Sequence, residues 1–177
     1  MGRSIAVGAL LLTSCLVSGA ADARRARCAQ PGEMTAVQTA ALQQELMVAA
    51  LTCNEVSRFN AFQTGYGPEL RASDARLASL FRRLYGSRRG EAQYHAFKTK
   101  LANDSEMRSI HNNPAYCQEA ASIFTDALSS GRPQLASFVN GVPVVIERRP
   151  VESCLVETAS ERHVLRRHGH RRVVAAQ

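Results

Sequence analysis

Cysteine and histidine are the residues in this chain best equipped for chemistry. The cysteines are Cys15, Cys28, Cys53, Cys117 and Cys154. Thiols in such a set can cross-link, hold a metal or act as nucleophiles. No C-x-x-C motif and no βαβ pattern surrounds any of them, so the signature of a thiol oxidoreductase is missing. Cys117 falls in the first turn of an expected helix, where the helix dipole lowers a thiol's pKa, and a thiol redox protein stays open as an alternative. Near the C-terminus, His168-Gly169-His170 with His163 upstream offers imidazoles suited to Zn²⁺, Ni²⁺ or Cu²⁺. No cysteine or carboxylate cluster with structural-zinc spacing joins them, and the arginines around them repel a cation. The expectation is no metal and no cofactor.

His95 and Lys98 stand three residues apart, with Glu91 four before His95. On a helix that spacing shares a face and offers acid–base chemistry. An exposed polar face opposite Tyr94 and Phe97 explains the same pattern. No G-x-S-x-G, H-E-x-x-H, P-loop or dinucleotide fingerprint occurs. The sequence therefore nominates no catalytic residue.

Whether the cysteines are cross-linked depends on compartment. The chain opens with Arg3 and then an uncharged run whose apolar part is Ile5 to Val17. That is shorter than the ~20 apolar residues a membrane span needs, but it has the length of a signal-peptide core. Ala21-Asp22-Ala23 supplies the small residues of a cleavage site before Arg24, and Ser18-Gly19-Ala20 a second one before Ala21. A rival reading takes Leu12-Thr13-Ser14-Cys15 as a lipobox and makes Cys15 the lipid-modified first residue of an anchored protein. The expected organisation is a signal peptide over 1–23, an exported helical domain over 24–156 and a basic tail over 157–177. Export would place the domain in the periplasm or outside the cell.

In that setting Cys28, Cys53, Cys117 and Cys154 read as two disulfides, with three possible connectivities. Cys53 closes the apolar stripe of the first long helix and Cys117 opens that of the last. Cys28 and Cys154 flank the helical block on either side. Their positions favour Cys53–Cys117 nested inside Cys28–Cys154.

The elements that must place these sulfurs are helical. From Thr35 to about Cys53, Leu42, Leu46, Ala50 and Cys53 repeat along one face, and "LMVAAL" is apolar on nearly every side, as in a helix buried among others. Gln38, Gln43, Gln44 and Glu45 mark a wetter first half. A short helix is expected over Ser57–Gln63. Pro68 then suits the first turn of a helix whose stripe is Leu70, Leu77, Leu80, Phe81 and Leu84, closed by Gly86. "GSRRG" reads as a basic loop, and Tyr94, Phe97 and Leu101 mark the next helix. Asn113-Pro114 signals the start of another, with Cys117, Ala121, Phe124 and Leu128 inward. A short helix over Pro133–Val139 completes an all-α compact bundle of about five to seven helices. "VPVVIERRPVESC" is expected as an extended strap.

The formal net charge is +7, and Lys98 and Lys100 are the lysines in a chain otherwise made basic by arginine. Arginine favours multidentate contacts with phosphate and carboxylate. In the tail, Arg162, Arg166, Arg167, Arg171 and Arg172 accompany Val164, Leu165, Val173 and Val174. Such a segment is expected to be disordered or a loose amphipathic helix, able to touch an anionic membrane surface or envelope polymer. Nucleic acid is not the expected partner.

The segments "ALQQELMVAALTCN", "RFNAF", "YGPEL", "YHAFKTKLAN" and a late "YC" carry a resemblance. Over about Cys28 to Cys154 the chain resembles a group of small exported alphaproteobacterial proteins of unassigned function. The resemblance implies an exported helical domain with paired cysteines. It implies no activity, cofactor or catalytic residue.

The function expected from these residues is that of an exported, disulfide-stabilised helical protein, a non-catalytic accessory or interaction protein of the cell envelope. The alternative classes are a hydrolase whose site leaves no sequence motif, and a thiol redox protein.

Overall fold

A computed structural model describes residues 28–154. The expected signal peptide with Cys15 lies outside the described residues. So do His163, His168 and His170, and Arg162, Arg166, Arg167, Arg171 and Arg172 of the tail. Five helices account for most of the described chain: α1 (Pro31–Thr52), α2 (Val56–Gly65), α3 (Gly67–His111), α4 (Asn113–Ala127) and α5 (Leu135–Gly141). There is no strand among the described residues, and none of these helices is long and apolar enough to cross a membrane.

Helix α1 is the central element. Pro31 occupies its first turn, where a missing N–H leaves no bond unmade. The Gln30 amide donates to Glu33 Oε2 at 2.8 Å and fixes the entry. Buried residues run round the whole cylinder, including Val37, Thr39, Ala41, Leu42, Glu45, Leu46 and Ala49. The first half is therefore not the wetter one: Thr39 is buried, its hydroxyl donating back to the Thr35 carbonyl at 2.8 Å. A helix apolar all round must be enclosed by its neighbours. Helices α2, α3, α4 and α5 all pack on it, α3 most extensively.

Helix α3 is two helices in one. At Gly86 the backbone turns to φ 78°, ψ 162°, a region open essentially to glycine alone. The chain then reverses. Phe81 meets Phe97 with ring centroids 5.4 Å apart, and Tyr94 and Lys98 reach Asp74. The two halves come close at Gly90, where a Cβ would lie 2.7 Å from the Arg82 Cα and 2.8 Å from the Phe81 carbonyl oxygen. Gly86–Gly90 is thus no loop. Gly86 makes the reversal, and Ser87–Gly90 is the first turn of the returning helix.

Asn112, one residue earlier than the sequence suggests, caps α4 by accepting from the Ala115 amide at 3.4 Å. Helix α3 continues through Asp104 and Ser105 to His111. Tyr66 is fully buried between α2 and α3, with Ala127 and Pro133 carbonyls each 3.2 Å from its hydroxyl. Glu69 accepts from the Leu135 amide at 2.9 Å and so satisfies the start of α5.

Residues 142–154 form no helix, and Val144, Ile146 and Val151 pack on the core of α1 and α3. Ala29 pairs with Ser153 in an isolated parallel bridge, its amide donating to the Glu152 carbonyl and the Cys154 amide to the Ala29 carbonyl. Cys28 and Cys154 are disulfide-bonded beside this bridge, and Cys53 is bonded to Cys117.

Candidate functional site

A cavity of about 460 Å³ opens where α3 ends and α4 begins. Met107, Arg108 and His111 come from α3, Ala115, Tyr116 and Glu119 from α4, and Glu147 from the C-terminal segment. Spacing explains the convergence. Arg108 and His111 are three apart on one helix and Tyr116 and Glu119 three apart on the next, so each pair shares a face. The single residue Asn112 between the two helices folds these faces toward each other.

Beneath Arg108 and Tyr116 lies Glu45, 1 % exposed in the middle of α1. The Tyr116 hydroxyl donates to the Glu45 main-chain carbonyl at 2.9 Å. An Arg108 guanidinium nitrogen sits 3.1 Å from Glu45 Oε2, and the guanidinium carbon lies 5.9 Å from the centre of the Tyr116 ring. The ion pair is close but not aligned as a hydrogen bond, and Arg108 Nε is buried without a partner among the described residues. Arg108 also donates to Ser105 Oγ at 3.1 Å. Desolvation raises the Glu45 carboxyl above its ordinary value, and Arg108 offsets this only in part. Burial, reinforced by the Glu45 charge, likewise raises the Tyr116 phenol.

The Cys53–Cys117 disulfide borders this site. It ties the end of α1 to the first turn of α4, and Val48, Ala49, Tyr116 and Ala120 form a small apolar cluster against it. Tyr116 precedes Cys117 in sequence, so the crosslink also holds the phenol over α1. The arrangement offers a ligand a partly solvated guanidinium, an imidazole at the rim and carboxylates from Glu119 and Glu147. Tyr116 and Glu45 are engaged with each other and with Arg108.

Glu45 gives the site a pH dependence. A carboxyl whose folded-state pKa is raised holds its proton longer in the native state. Its contribution is therefore fully present below the unfolded value and is lost as pH rises through the folded value. Glu45→Gln removes that loss. Denaturant midpoints should show the Gln variant gaining on wild type as pH rises above the ordinary carboxyl value of 4.5. A Gln variant that gains nothing, or loses ground to wild type, as pH rises contradicts the assignment.

The other polar cluster is on the α3 hairpin. Tyr94 donates to Asp74 Oδ1 at 2.6 Å, and Lys98 Nζ lies 2.9 Å from the same oxygen and 3.1 Å from the Tyr94 hydroxyl. Burial would raise the Asp74 carboxyl, but the bonds from Tyr94 and Lys98 outweigh it and hold it below its ordinary value. Burial alone would lower the Lys98 ammonium; Asp74 and Tyr94 raise it instead. This group clamps the two halves of α3 together. Lys98 therefore joins Asp74 and Tyr94 rather than Glu91 and His95, and His95 is exposed with its ring at the edge of Tyr94.

Sequence reasoning placed the four cysteines but missed Glu45, Arg108 and Tyr116. One signal was present. Glu45 is three residues after Leu42 and four before Ala49, on the apolar stripe and not opposite it. Among the described residues no three His, Cys, Asp or Glu side chains converge as metal ligands. No family model, curated protein or solved structure matches the chain.

Proposed function

We propose that this chain is an exported, disulfide-stapled helical protein of the cell envelope that acts by binding and not by catalysis. Residues 1–23 serve as its signal peptide, residues 24–156 form the exported domain and residues 157–177 a basic tail. The C-terminal strap closes the domain, and the tail contacts an anionic membrane surface or envelope polymer. The observation that carries the reading is the nested pair Cys28–Cys154 and Cys53–Cys117. Structural crosslinks of this kind persist where thiols are not kept reduced. The resemblance to small exported alphaproteobacterial proteins supports the same reading. So does the cavity, whose most buried ionisable groups, Glu45 and Tyr116, are engaged with α1, α3 and α4 themselves.

Producing the untagged full chain in a Gram-negative host and fractionating the cells tests this. The expected product is released with the periplasm or medium and begins at Arg24 or, by the second site, at Ala21. A chain retaining Met1 in the cytosol overturns the proposal. A membrane-bound product beginning at a lipid-modified Cys15 replaces the released form with an anchored one.

A hydrolase is the second reading, because the cavity does bring Arg108, His111, Tyr116 and Glu119 around one space. Turnover of ester or amide substrates that is lost in His111→Ala would favour it over binding.

A further inference from the structure

The tip of the α3 hairpin is a concentrated positive surface. Residues 85–89 are all exposed, and so are Arg82 and Arg83 before them. Arg88 and Arg89 make no ion pair or hydrogen bond among the described residues, and Arg82 donates only to a neutral partner, Ser79 Oγ at 2.9 Å. Among the described residues the acidic side chains nearby are few. Glu33 is occupied by Arg83 at 2.6 Å, leaving Glu91 on the returning helix and Glu152 beside Ala29.

Arg83 shows where this tip sits. Its guanidinium also donates to the Cys28 carbonyl at 3.0 Å. The Cys28–Cys154 crosslink, at which both arms of the chain leave the helical domain, therefore lies at the base of the hairpin tip. Three further arginines, Arg24, Arg25 and Arg27, come within four residues of Cys28 in the sequence, and the basic tail follows Cys154. The outer disulfide holds the two ends of the described chain at this pole.

We infer that this pole is a docking surface for the phosphate headgroups of an anionic phospholipid bilayer, with Arg82, Arg88 and Arg89 as its contacts and Tyr85 as an interfacial anchor. The inference deepens the envelope-binding reading and rests on it. Charge complementarity and shape select this partner. Guanidinium forks match phosphate oxygens. Single-stranded nucleic acid is tracked by grooves, whereas a hairpin tip protrudes and meets a plane. Tyr85 is 39 % exposed and stacked on Phe81 at 5.9 Å, a rigid ring with a polar end of the kind found at headgroup depth.

The test is sedimentation of the full chain with vesicles of phosphatidylcholine containing about one third phosphatidylglycerol, set against phosphatidylcholine alone. Each arginine near such a surface contributes about fivefold in affinity, so Arg88→Gln with Arg89→Gln should weaken binding about 25-fold. Arg58→Gln with Arg71→Gln removes the same charge elsewhere, Arg71 lying about 22 Å along α3 from the tip. This control should change binding less than about twofold. Equal losses in the two double variants would mean diffuse attraction and overturn the docking surface while sparing the envelope reading. Loss confined to neutralising the five tail arginines would overturn it in the same way. If the full chain ignores anionic vesicles altogether, both the surface and the tail's proposed role fall.

Discussion

Replacing Cys53 and Cys117 together by alanine should lower the unfolding free energy by about 4 kcal/mol, a large part of the 5–15 kcal/mol typical of a domain. The bond closes a loop between residues 64 apart, and that much chain entropy returns to the unfolded state when it is removed. Cys28 and Cys154 are 126 apart, but the inner loop lies wholly within theirs. With the inner bond intact, the outer one closes only the chain not already looped. Its removal should therefore cost about as much as removal of the inner bond, again about 4 kcal/mol. The two single removals differ in place. Loss of the inner bond frees the first turn of α4 and lets Tyr116 leave the Glu45 carbonyl, whereas loss of the outer bond frees Ala29 and residues 142–154. Denaturant midpoints measure the energies, and amide exchange at the two places separates them. A cost below about 1 kcal/mol for the inner pair would show that packing alone holds α4 on α1.

Substituting the hairpin glycines should give the next largest losses, for two different reasons. At Gly90 the obstacle is space. A methyl group would meet main-chain atoms of Phe81 and Arg82 at 2.7–2.9 Å, and backbone cannot swing aside as a side chain can. The halves of α3 must part, and Phe81 loses contact with Tyr94 and Phe97. Gly90→Ala should cost about 3 kcal/mol and Gly90→Val more. At Gly86 no neighbouring atom lies within 4 Å, and the obstacle is the backbone conformation itself. Gly86→Ala should cost about 1–3 kcal/mol, with serine costing no more than alanine. Thermal unfolding of the four variants distinguishes the causes. Insensitivity to side-chain size at position 90 would contradict the close crossing.

Local patterns were the readable part of this fold. Leu70, Leu77, Leu80 and Phe81 lie inward as their spacing implies, and so do Phe97 and Leu101. Pro68 and Pro114 occupy first turns of helices as expected, whereas α1 begins at Pro31, four residues before Thr35. What short-range pattern cannot carry is the identity of distant partners. "GSRRG" looks like a loop because glycine and arginine are poor core formers. Only the approach of the returning helix shows that Gly90 is a contact and not a linker. Glu45 stands next to Gln43 and Gln44 in the sequence, and a carboxylate in such a run is normally exposed. Its counter-ion, Arg108, sits on another helix. On α4, Phe124 is buried as its spacing implies, but Cys117, Ala121 and Leu128 are only partly buried. Burial follows Tyr116, Ala120, Ile123 and Ala127, which turns Cys117 to the edge of the core, where it meets Cys53.

Two nested crosslinks hold the helices around α1. Non-reducing peptide mapping of the protein, alkylated before digestion, tests this most directly. The account predicts peptides joined through Cys28–Cys154 and through Cys53–Cys117, with none of these four sulfurs alkylated. Alkylation of all four without reductant, or linkage of Cys53 to Cys28 or Cys154, would contradict it.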